Sequence, residues 1–232
     1  MLVFAAAILT CGIAAADTIV ANSVALGGSI WIGVYEGTTL TDTQEQAGVI
    51  SITVTDNTGS YDRQTLCVDL FTNINTNTTY NTGVYLPSAF GPPSKVATLE
   101  RIAYLLDNYW PTTATQAEGL QLAIWDIEVD GGDGFYNGQV RQADTNHPTD
   151  SNVLSDAVGF ETNSAGHASN LADVYVSATQ ATPPVAAQML EGPVYGTGPP
   201  PVAPESSTLV LAGVALLALG HAARRKLGSR AW

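Results

Sequence analysis

Two apolar runs near the ends constrain this chain most. Met1–Ala16 (MLVFAAAILTCGIAAA) carries no charged residue, and Leu209–Ala223 (LVLAGVALLALGHAA) carries no acid, lysine or arginine. Uniformly apolar runs of this kind do not make the surface of a folded domain in water. They leave residues 17–192 as the segment that must build one core. All 21 acidic residues of the 232 lie from Asp17 to Glu205, opposed there only by Arg63, Lys95, Arg101 and Arg141, a balance of −17. The other four basic residues sit in the last nine positions, which brings the whole chain to −13. So acidic a body repels phosphate backbones, which argues against nucleic-acid binding. Two cysteines, Cys11 and Cys67, make neither a disulfide framework nor a cysteine-rich zinc site.

The two ends read as addresses. The run closing on Ala14-Ala15-Ala16 has the layout of a cleavable secretory signal over residues 1–16, although it lacks a basic start. Cys11 is expected to leave with it. A Gly/Pro linker begins at Gly192, and residues 193–207 hold linker and sorting motif. Residues 208–223 are expected to form a single membrane-spanning helix, followed by a basic cytoplasmic tail over 224–232. At about 1.5 Å per residue that helix is short for a hydrocarbon layer of about 30 Å, so its flanks would snorkel. The order Pro204-Glu205, short apolar helix, Arg224-Arg225-Lys226 resembles the PEP-CTERM sorting signal of Gram-negative bacteria. The resemblance implies processing by an exosortase-type membrane protease. It also implies an inner-membrane precursor and a final place at the cell surface or outside the cell. Ser206 stands where that signal usually has a second proline. An ordinary C-terminal membrane anchor is the plainer alternative.

Within 17–192 the hydrophobic period changes. Ser29–Tyr35, Gly48–Thr55 and Thr65–Phe71 read as strands, with a turn at Asp56–Gly59. In the third strand, alternation puts Leu66, Val68 and Leu70 on one face and Cys67, Asp69 and Phe71 on the other. Asn73–Thr82 reads as a polar connection. Lys95–Tyr109 has helical spacing at Leu99, Ile102, Leu106 and Tyr109, stopped by Pro111. Thr115–Glu128 reads as a second helix with Leu120, Ile124 and Ile127 as its stripe, and Ser164–Gln180 as a third. Val185–Val194 is expected to return as a strand. The pattern predicts an α+β domain, a β-sandwich or barrel with a helical insertion.

Cys67 and Gln121 are the candidate pair for chemistry. A lone strand cysteine is ordinarily a small buried hydrophobe. Gln121 has Ala117, Ile124 and Trp125 as helix-surface neighbours, so its amide lies on an apolar side. An unpartnered buried amide costs about 1–3 kcal/mol, so something should meet it. Leu66-Cys67-Val68-Asp69-Leu70 and Leu120-Gln121-Leu122-Ala123-Ile124-Trp125 together resemble the motifs of the thioester domains of bacterial surface adhesins. Leu120 stands where that family usually has threonine. The resemblance implies that Cys67 and Gln121 condense to an internal thioester, with Asp69, Ala123 and Trp125 in support. An amine on a surface, matrix or host partner would then attack the Gln121 acyl carbon and release the Cys67 sulfur, an adhesion or biofilm role. Such a crosslinker reacts once and is not an enzyme. The alternative is a non-covalent envelope or matrix protein with the same fold.

Other constellations are weaker, and no cofactor or metal is expected. Lys95 is the single lysine of the exported segment. Glu128–Gly134 sets three acids in a Gly-rich loop; its spacing is not that of an EF-hand, and a solvated helix-ending turn is preferred to a Ca²⁺ site. His147 and His167 read as surface residues, and no Gly-rich phosphate loop follows a strand.

Overall fold

The protein is described by a computed structural model over residues 17–36, 39–144, 146–179 and 188–193. The signal, the linker, the sorting motif (Pro204, Glu205), the spanning helix and the Arg224, Arg225, Lys226 cluster lie outside these residues. Among the described residues, no helix is long and apolar enough to cross a membrane.

The strands are β1 (Asp17–Glu36), β2 (Thr39–Asp56), β3 (Gly59–Cys67), β4 (Thr79–Tyr85), β5 (Val140–Gln142), β6 (Ala172–Thr179) and β7 (Leu190–Pro193). The helices are α1 (Pro93–Asn108), α2 (Ala114–Asp130) and α3 (Ser151–Ser164). Six strands run β2-β3-β7-β6-β4-β1, and β1 pairs back with β2, so the sheet closes into an antiparallel barrel with β5 added on β1. Every ladder among the described residues is antiparallel. Closure removes the open edges that a sandwich of these strands would leave. The expected α+β domain is therefore a closed barrel with three helices.

The β1–β2 ladder shifts register between Ala21 and Ser23 and between Val24 and Leu26, and just beyond these irregularities Gly27 faces Gly48. Both have positive φ, at +119° and +132°, and a Cβ on either would stand 2.3 or 2.1 Å from a carbonyl oxygen across the ladder. Beyond these glycines β1 also pairs with β5 through Ile32–Val34.

Alternation sorts the core into two parts. Ile19, Ile32, Ile52, Val54, Tyr80, Tyr175 and Leu190 fill the barrel with Cys67 and Trp125. Leu66, Val68 and Val174 on the other face pack against Leu99, Ile102 and Leu106 of α1 and Leu120, Ile124 and Ile127 of α2. The helix α2 belongs to both. Thr113 caps its start by accepting the Gln116 N–H, and Gly131, at φ +79°, ends it. Residues 119–127 are all buried, so the expected single stripe is instead burial on every side.

Several boundaries differ from the sequence reading. The third strand stops at Cys67, because residues 68–71 turn away: Leu70 joins Cys67 in the barrel cluster while Phe71 is exposed. The predicted helix over Ser164–Gln180 is a correction. The helix lies earlier, at Ser151–Ser164, started by the Asp150 carboxylate accepting the Asn152 and Val153 N–H groups. Residues 172–179 are strand β6, where Asp173, Tyr175 and Ser177 face inward beside Tyr80 and Thr82 of β4. The tail of the polar connection, Thr79–Thr82, is the start of β4.

Candidate functional site

Gln121 meets Cys67 through the backbone. Its Nε2–H donates to the Cys67 carbonyl at 2.6 Å, and its Oε1 accepts the Cys67 N–H at 2.9 Å. Local geometry explains why these groups are available. The β2–β3 ladder ends at Ile50↔Thr65, so Cys67 has no pairing partner on the β2 side. On its other side it pairs with Leu190 of β7. The Gln121 carboxamide, a peptide group in all but name, fills the vacant place and satisfies itself and the strand end at once. Both residues are buried, Gln121 completely.

Burial pushes the Cys67 thiol far above the usual range, and the Asp69 and Glu45 carboxylates push it further. Burial thus favours the thiol over the thiolate. Cys67 lines a pocket of about 310 Å³ with Ala21, Ile50, Leu70, Ile74 and Trp125, together with polar Gln44, Glu45, Asn73 and Gln188. Trp125 forms a large apolar wall there, and its Nε1–H is buried without a hydrogen-bond partner.

The remaining motif residues take distinct places. Asp69 does not touch Gln121; its carboxylate accepts the Phe71 N–H at 2.9 Å and the Thr72 hydroxyl, pinning the turn that follows Cys67. Gln188 reinforces that turn by donating to the Asp69 carbonyl at 2.9 Å. Ala123 is buried in the barrel cluster, where a small side chain lets α2 approach. Lys95 stands elsewhere, ion-paired with Glu128 at 2.5 Å. His147 and His167 are exposed and stack on Trp31 and Tyr104.

A second polar centre was legible only in part, since the sequence reading weighed Glu128, Asp130 and Asp133 and preferred a solvated turn. Asp126, Asp130 and Asp133 converge at the C-terminal end of α2, and Glu128 is not among them because Lys95 holds it on another face. Burial raises the Asp126 carboxyl to about 6; burial, a side-chain hydrogen bond to Asp126 and the charge of Asp126 raise the Glu161 carboxyl of α3 to about 9. The i, i+4 spacing of Asp126 and Asp130 was the available signal, hidden by treating the helix end as solvated. Glu161 carried no signal, since only packing of α3 on α2 brings it there.

No protein family, curated protein or solved structure matches this chain.

Proposed function

We propose that this is an exported, surface-sorted protein whose Cys67 and Gln121 form an internal thioester that couples to amines on a surface, matrix or host partner. The observation that carries the reading is the buried contact between Gln121 and Cys67, beside a pocket walled by Trp125. In formation, Cys67 Sγ attacks the Gln121 carboxamide carbon, the C–N bond breaks, and nitrogen leaves as ammonia with the thiol proton. In coupling, a partner amine attacks the same carbon, the C–S bond breaks, and the amine proton passes to sulfur. Burial favours a sulfur that leaves protonated. Exclusion of bulk water by the Trp125 wall slows hydrolysis of the acyl group. The PEP-CTERM-like tail supports export, exosortase-type processing and an adhesion or biofilm role.

The bidentate hydrogen bonding favours a second reading. There, Gln121 only completes the strand end, and the domain is a non-covalent envelope or matrix component. Peptide mass mapping of the purified full chain separates the two. A crosslinked Cys67–Gln121 peptide pair lighter by one ammonia, and a methylamine adduct on Gln121, are expected. Unmodified Cys67 and Gln121 peptides, with no adduct after methylamine treatment, would overturn the thioester.

A further inference from the structure

We propose that the end of α2 is a binding site for a hard divalent cation, Ca²⁺, held by Asp126, Asp130 and Asp133 with Glu161 facing them from α3. Each aspartate offers a carboxylate oxygen, and these oxygens lie within 4.8 Å of one another. Two oxygens on one Ca²⁺, each about 2.4 Å from the ion, stand at most about 5 Å apart, so the span fits a shared ion.

Independent of the clustering, two buried oxygens ask for a ligand. Asp126 Oδ1 and Glu161 Oε1 receive no donor from any other group among the described residues, although Asp126 is fully buried and Glu161 only 7% exposed; the two carboxyls face each other, so without a cation a proton must bridge them. Buried carboxylate oxygens ordinarily find a donor or a metal. Arg101, the guanidinium that feels the Glu161 and Asp126 charges, is committed to the Gly131 and Glu161 carbonyls and the Ser164 hydroxyl.

The cup is also shaped and oriented. The Asp130 Oδ2 accepts the Gln139 and Val140 N–H groups at 2.7 Å each, which fixes that carboxylate. Gly138 leaves room: a Cβ there would lie 2.6 Å from Asp133 Oδ1 and 2.8 Å from Asp130 Oδ2. A bound cation ties α2 to the loop before β5 and to α3, and so steadies the helix that carries Gln121. The site stands whether or not the thioester forms.

Thermal unfolding of the full chain, stripped with EDTA and then measured in CaCl₂ against NaCl of equal ionic strength, tests this. Ca²⁺ should raise the midpoint by several degrees in a saturable way. Asp133→Asn, at an exposed position that leaves the core intact, should remove most of that shift. Tb³⁺ should give luminescence sensitised through Trp125, next in sequence to Asp126, and Ca²⁺ should quench it by displacement. A Ca²⁺ shift no larger than that of NaCl, or one retained in full by both Asp133→Asn and Asp130→Asn, would overturn the site.

Discussion

Gln121 acts as a substitute peptide group. Truncating it strands the N–H and the carbonyl of Cys67 in the interior, each costing about 1–3 kcal/mol. Gln121→Ala should therefore lower the urea-unfolding free energy by at least about 2 kcal/mol, well beyond an ordinary surface glutamine. Its burial was legible from Ala117, Ile124 and Trp125 as helix neighbours. Its partner was not: the sequence reading awaited a side chain, and the groups that meet it belong to the backbone. The same limit applies to Asp126, whose neighbour Glu161 is 35 positions away in sequence and adjacent only after α3 docks.

At the scale of elements, α2 organises the molecule. One side sends Trp125 into the barrel, another meets α1, and a third packs on α3 at Gly119. A Cβ at Gly119 would stand 2.7 Å from the Asp156 Cβ and 3.0 Å from the Val153 carbonyl. Alanine there gains about 1 kcal/mol of helix propensity but meets an overpacking cost of about 1–3 kcal/mol. Gly119→Ala should consequently be neutral to destabilising by up to about 2 kcal/mol in denaturant unfolding, where an exposed helical glycine would be stabilised. The helices α1 and α2 were readable because apolar residues recur at three- and four-residue spacing, although α2 is buried on every side. The misplaced third helix has a physical cause. Ala172–Thr179 mixes small and β-branched residues that suit either state, and pairing with β4 decides for strand.

For the whole molecule, buried acids set the pH response. Burial lifts the Glu161, Asp126, Asp173 and Glu191 carboxyls, Glu191 lying fully buried with both oxygens unpartnered. The native state thus keeps protons that the unfolded chain has already lost. This stability is therefore fully present below the unfolded pKa values and is lost as pH rises through the folded ones. In Ca²⁺-free buffer, stability should fall steadily from near pH 4.5 towards about pH 9, the span of the Glu161 shift. A single one-unit shift is worth about 1.4 kcal/mol, so the loss should be measurable by urea titration at several pH values. A stability flat or rising across that range would contradict the buried carboxyls.

The order of charge along the chain, the apolar ends, the early strands, the first two helices and the Cys67 and Gln121 motifs were all present in the linear text. Each depends on neighbours within a few residues, where period and composition act. Closure of the barrel, the strand identity of Ala172–Thr179, the backbone partner of Gln121 and the joining of Glu161 to Asp126 were not. Each depends on contacts between segments tens of residues apart. There, hydrogen-bond completion and burial outweigh local preference, and only the folded packing of barrel on helix brings those groups together.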